Sequence, residues 1–245
     1  MATPNERTDE SKPAAYGGVA AVDRALTILA TVEQSADPLS LSELSRLTGF
    51  YKSTILRLMV SLDRAALLVQ RPDLRYELGP FAFRLGRAYD TSHQLEEHVL
   101  ATLRELVARG TQSASFHMRY NDTQRICLFR VNSDHATLDN VKTGDLLPLE
   151  TGAPAKVIAH YHHLSGKPIA DDEPLIFSSF GERDPSCAAI ACPIFAARGL
   201  FVGAISLSGP KDRFDSASVE QMTPLLLSES RMLTQVLGGV WPRDN

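Results

Sequence analysis

The stretch from Ser40 to Gly79 constrains this chain most, because its turn signals and apolar spacings fit one compact motif. Ser40-Leu41-Ser42-Glu43 has the Ser-x-x-Glu form of a capping box, in which each side chain satisfies a backbone N–H of the first helical turn. Leu41, Leu44 and Leu47 then mark one face of a short helix that stops at Gly49. A second helix begins near Lys52 and sets Ile55, Leu58, Met59 and Leu62 inward at the i, i+3, i+4, i+7 spacing. On the other side Ser53, Thr54, Arg57 and Ser61 form a polar stripe, with Lys52 at the helix entry. Leu67–Arg71 and Arg75–Leu78 read as two short strands around Pro72-Asp73-Leu74. Two helices across a tight turn, the second showing cations and hydroxyls, followed by a hairpin, have the form of a winged helix-turn-helix.

The flanks extend the pattern. Residues 1–18 carry no apolar period and read as a disordered tail. A helix begins near Val22, with Ala25, Leu26 and Leu29 on one face, which places the first domain at 19–80. Phe81 to Ala108 reads as a connector helix with Leu95, Val99, Leu103 and Leu106 as its apolar stripe, and it is the candidate dimer surface. Beyond Gly110 the period changes to that of strands at 113–119, 125–131, 136–142, 187–195 and 200–208. Helices are expected at 153–161 and 216–237. This gives a mixed α/β chain whose second domain, 109–240, is an α+β sheet flanked by helices.

Charge separates the two halves. Residues 1–90 hold equal numbers of cations and anions, so the net charge of -4 belongs to residues 91–245. Within the first half, Lys52, Arg57, Arg64, Arg71 and Arg75 face only Asp63 and Asp73 in sequence, and a polyanion would dock there. Three cysteines without close pairing form no disulfide framework, and no apolar run approaches the ~20 residues of a membrane helix. The expected location is the cytoplasm.

These segments together resemble the IclR family of bacterial transcriptional regulators over roughly residues 20–240. The resemblance is carried by Val22–Leu26, Leu41–Leu44, Lys52-Ser53-Thr54, Arg57-Leu58 and Arg75–Gly79 in the first domain. In the second it is carried by Pro148–Lys156, Ala191–Phe195 and Ala204–Pro210. It implies a winged helix-turn-helix, a linker helix over 81–108, and a GAF-like C-terminal domain that binds a small effector. It also implies dimers or dimers of dimers acting on palindromic operators, as repressors or activators of catabolic operons. The 161–186 segment is shorter than its counterpart in the family, which usually holds about two helices there, so the sensor domain is a shortened one.

Site expectations follow. Lys52, Ser53, Thr54 and Ser61 would position the helix on phosphates, and Arg57 would read a guanine edge. Arg71 and Arg75 on the wing would grip the flanking backbone or minor groove. Ser206 and Ser208 share a strand face, and the small residues of 187–191, Ala189 among them, leave room beside them. The resemblance adds Ala153 and Pro154 to this effector site, whose ligand would be an organic or small aromatic acid. The alternative is a C-terminal domain that only oligomerises and binds no effector. His160, His162 and His163 lack the spacing of a zinc site and read as a solvated helix end. Gly166-Lys167 lacks a phosphate loop around it, and no nucleophile elbow occurs, so no catalytic site, metal or cofactor is expected.

Overall fold

A computed structural model describes residues 18–93, 95–134 and 139–242. The expected tail lies outside them, save Gly18. The chain divides into two compact units, one ending at Ser92 and the other beginning at His93.

The first unit contains α1 (Ala20–Glu33), α2 (Leu41–Thr48), α3 (Lys52–Arg64), β1 (Leu68–Gln70), β2 (Tyr76–Leu78) and α4 (Pro80–His93). Ser40 and Glu43 make the reciprocal capping box of α2, and Gly49 closes that helix with φ +73°, a left-handed turn that glycine adopts without a Cβ clash. Ile28, Leu44, Ile55, Met59, Leu62 and Leu68 form the core between the three helices and the hairpin. β1 and β2 pair antiparallel from Leu68–Leu78 to Gln70–Tyr76, and Leu39 adds a bridge to Tyr76.

The second unit contains α5 (Leu95–Ala108), β3 (Ser113–Arg119), β4 (Gln124–Val131), β5 (Leu146–Pro148), α6 (Ala153–Tyr161), β6 (Phe177–Phe180), β7 (Cys187–Ala196), β8 (Leu200–Pro210) and α7 (Ser216–Val236). Among the described residues its six strands run in the order β5-β4-β3-β8-β7-β6, each neighbouring pair antiparallel. Side chains alternate across β7: Cys192 shares a contact with Ser230 of α7, whereas Ala189 belongs with Ala153 and Pro154 of α6. Leu95, Val99, Leu103 and Leu106 are buried in this unit's own core. Of the connector expected to form the dimer surface, the apolar stripe of α5 is thus turned into this unit's core.

Two strand expectations change. Of the expected strand 136–142, residues 136–138 lie outside the described set, and 139–142 are irregular. The edge strand is β5 instead, because Gly144 N–H donates to Cys127 O and Cys127 N–H to Asp145 O, so pairing with β4 begins only after that turn. The short segment after α6 forms a 3-10 turn and then β6, a four-residue edge strand on β7 that its Phe-Ser-Ser-Phe sequence barely signals.

Replacing Ser40 by alanine removes one half of the capping box and leaves an N–H of α2 without its partner. The expected cost is about 1 kcal/mol, read as a lower thermal midpoint for the N-terminal unit in the full-length protein.

Candidate DNA interface and ligand cavity

In α3 the side chains expected to face outward do so. Lys52, Ser53, Arg57 and Ser61 are exposed, and Thr54 is half-buried. Lys52 Nζ donates to Ser42 Oγ at 2.9 Å, which ties the entry of α3 to α2. The same face carries Leu56 and Val60, 46% and 59% exposed, and Tyr51 just before the helix is 84% exposed. Sequence reading passed over these three, although Leu56 and Val60 stand one turn apart beside Arg57. Exposed methyl groups there suit contact with thymine methyls.

Both wing arginines have partners within the chain. Arg75 donates to the Pro38 carbonyl at 2.8 Å and to Glu43 at 3.0 Å, so it fastens the hairpin to the capping box instead of extending outward. Glu43 is held below the usual carboxylate range by its bonds to Ser40, with Arg75 adding to the effect. Arg71 pairs with Glu77 at 3.3 Å and lies 3.6 Å from Asp73, both exposed contacts on the wing itself.

In the second unit Ala153, Pro154, Ala189, Ser206 and Ser208 line a single cavity of about 40 Å³. The strand register brings them together. Ser208 stands opposite Ala189 on one side and Ser113 on the other, and Ser206 stands opposite Ala191 and Ser115. Gly152 begins α6 at φ +97°, and a Cβ there would lie 3.3 Å from Arg125 Nη2, so the helix start and the arginine are fitted to one another.

The cavity also contains residues that the sequence did not announce: Ser115, His117, Arg125, Arg130, Asp139 and Arg183. Arg125 and Arg130 are five apart, so on an uninterrupted strand they would face opposite ways. A bulge between Phe116 and His117 leaves Leu128 without a partner, which shifts the alternation and turns both arginines to the side of Ser115 and His117. Burial, with Arg183 adding to it, lowers Arg125 to about 10, still charged at neutral pH; it donates to the carbonyls of Pro148 and Thr151. Arg130 pairs with Asp139, which also accepts from Ser208 Oγ at 2.8 Å. Arg183 and Ser179 reach the lining from the segment after α6, which thus supplies part of the cavity wall.

Among the described residues, five buried side-chain polar atoms lack a hydrogen-bond partner. Three of them, His117 Nδ1, Arg125 Nε and Ser206 Oγ, belong to this cavity. His117 shares a bond with Ser115 through Nε2, 2.9 Å away. Buried groups of this kind are costly without partners, and a polar ligand satisfies them.

His160 departs from the solvated-end expectation: it is half-buried, 2.6 Å from Glu173 and edge-on to Tyr161. His162 and His163 are exposed. Cys127 and Cys192 are both buried, and burial raises each thiol to about 12.

Comparison with known proteins agrees with this architecture. Residues 21–72 match the family model of the IclR helix-turn-helix domain. The first unit thus carries an IclR-type helix-turn-helix domain. It is 28% identical to the HTH-type transcriptional regulator BhcR of Paracoccus denitrificans, over 89% of this chain and 87% of that one. A solved IclR transcriptional regulator from Silicibacter sp. TM1040 superposes with a TM-score of 0.73 at 22% identity, covering 91% of this chain and 98% of the other. An IclR homologue from Microbacterium hydrocarbonoxydans, solved in complex with 4-hydroxybenzoate, gives a TM-score of 0.69 at 14% identity, covering 88% and 99%. The second unit thus shares the fold of these solved structures, with a 3-10 turn and an edge strand after α6.

Burial holds His117 well below its ordinary range, with Arg125, Arg130 and Arg183 acting in the same direction, so it is neutral in the folded protein. The unfolded chain takes up that proton below about pH 6.5 and the folded chain does not. Stability should therefore be level above that pH and fall by up to about 1.4 kcal/mol per unit below it. Between pH 6.5 and 5, His117→Gln should show a shallower loss than wild type in denaturant titrations. Parallel curves would contradict the assignment.

Proposed function

We propose that this protein is a cytoplasmic, sequence-specific DNA-binding regulator of transcription, without enzymatic activity, whose second unit binds a small acidic effector. α3 is its recognition helix: Arg57 reads base edges, aided by Leu56 and Val60, while Lys52, Ser53, Thr54 and Ser61 hold phosphates. Arg71 approaches the flanking backbone from the wing, and Arg75 acts by fixing the wing to α2. One recognition helix reads only a few base pairs, so the working form is a homodimer or dimer of dimers on a palindromic operator. Among the described residues, exposed Phe83 and Leu85 on α4 and Leu26 on α1 offer apolar surface for that pairing.

The observation that carries the effector reading is the convergence of Arg125, Arg130 and Arg183 with three unpartnered polar atoms on one small cavity. Three guanidiniums against Asp139 and Asp184 leave the lining cationic, which favours a carboxylate. The complex of the Microbacterium homologue with 4-hydroxybenzoate supports the same chemical class. The effector acts by population shift, binding one dimer geometry better than another and so changing half-site spacing.

Two measurements test this. Operator affinity, followed by fluorescence anisotropy, should fall steeply with salt as counterions are released. Arg57→Ala should cost about 1–3 kcal/mol and relax base preference; equal weak binding of specific and random duplexes would refute the regulator reading. A thermal-shift screen of carboxylic acids should give at least one ligand that raises the midpoint, a ligand at ~100 Kd adding ~2.7 kcal/mol. Replacing Ser206 and Ser208 together by alanine should abolish that response and leave operator affinity nearly intact. No shift from a broad set would leave a second unit that only oligomerises.

A further inference from the structure

The most strongly anion-binding corner of the cavity is already filled by the chain itself. The Asp139 carboxylate is clasped by Arg130 through one oxygen and accepts from Ser208 Oγ at 2.8 Å through the other. Arg183 lies 3.9 Å from that second oxygen, and Arg130 Nη1 also reaches Ser208 Oγ at 3.4 Å. The side chains of Arg130 and Asp139 are each only 3% exposed. The three partners differ in freedom. Arg130 is fixed on β4 and Ser208 on β8, both inside the paired sheet, whereas Asp139 lies on irregular chain and can leave without breaking a strand pair. With Asp139 in place, about 40 Å³ remains, room for roughly three water-sized probes. The same space is lined by unpartnered Arg125 Nε, His117 Nδ1 and Ser206 Oγ, three polar atoms that a ligand entering it would satisfy.

We propose that Asp139 is an internal occupant of the anion seat made by Arg130 and Ser208, that a carboxylate ligand binds by displacing it, and that this exchange restricts the cavity to acids. The inference rests on the ligand-binding reading of the cavity given above. Its physical basis is the cost of an unpaired buried charge. Exchanging one carboxylate for another keeps Arg130 paired throughout, whereas a neutral molecule entering the seat would leave a buried guanidinium without an anion. The released Asp139 is charged and enters solvent at no comparable cost. On its C-terminal side, Gly144 and Asp145 are bonded to Cys127 of β4, which anchors the chain there.

The test uses acetate as the probe and acetamide as its neutral counterpart, at constant ionic strength held with sodium chloride. Full-length wild type, Asp139→Ala and Asp139→Asn are compared by calorimetric titration and thermal shift. Acetate should bind Asp139→Ala at least ~10-fold more tightly than wild type, a difference of ~1.4 kcal/mol. Acetamide should show no such gain, and adding Arg130→Gln to Asp139→Ala should remove it. Asp139→Asn keeps the side-chain shape and guards against collapse of the alanine variant; it should rank the two probes in the same order. The exchange is overturned if a folded variant binds acetate no better than wild type, or if acetamide gains as much as acetate. Should a carboxylate found for wild type bind the Asp139 variants equally well, the cavity reading stands and the exchange falls. If no carboxylate binds any of the three proteins, both fall together.

Discussion

Guanidinium groups buried on the face of an antiparallel sheet are the constraint around which the second unit is arranged. Such a charge is expensive to remove from water unless carbonyls or an anion meet it with good geometry. Arg125 is met by the carbonyls of Pro148 and Thr151, at the end of β5 and before α6, so the chain must return to this point before the helix begins. Arg130 is met by Asp139, which returns to the sheet face beside β4. Gly152 completes the fit by leaving space beside Arg125 at the start of α6. The turn at Gly144, the position of β5 and the start of α6 are thus consistent with the needs of two side chains.

The two faces of this sheet show the contrast between such a polar arrangement and ordinary packing. On the side of α7, Ile190, Cys192, Ile205 and Leu207 are buried with Met222, Leu226 and Leu233, a close-packed apolar core. On the side of α6 small residues and hydroxyls alternate with arginines, and the space between them stays partly unfilled. A rigid apolar face backing a polar face with unsatisfied groups is a reasonable foundation for a ligand site, since the scaffold holds its shape while the polar face awaits partners.

The first unit follows simpler rules, and much of it is legible residue by residue. The capping box at Ser40 and Glu43, the glycine stop at Gly49 and the inward spacing of Ile55, Met59 and Leu62 are local signals, each read within a few residues of chain. The strands 113–119 and 187–196 and the helix 153–161 carry strong alternation or helical period and sit where that period predicts. Arg75 was legible as a cation but not as a partner. Its bond to Pro38, 37 positions earlier, depends on the hairpin folding back to the α1–α2 connection, which no local pattern encodes.

The cavity residues divide along the same line. Ser206 and Ser208 face one side because side chains on a strand alternate, and Ala189 joins them through a register that the apolar pattern of β7 and β8 favours. Arg125 and Arg130 could not be placed in this way. Their odd spacing implies opposite faces, and only the bulge at Leu128, a property of how β4 lies against β3, turns both inward. Sequence by itself therefore determined most of the helices, the long strands, the polar face of α3 and the small-residue face, since each follows from periodicity along one segment. Tertiary structure decided the cationic lining and the Arg130–Asp139 pair, because those depend on register and on burial, which arise only when distant segments meet.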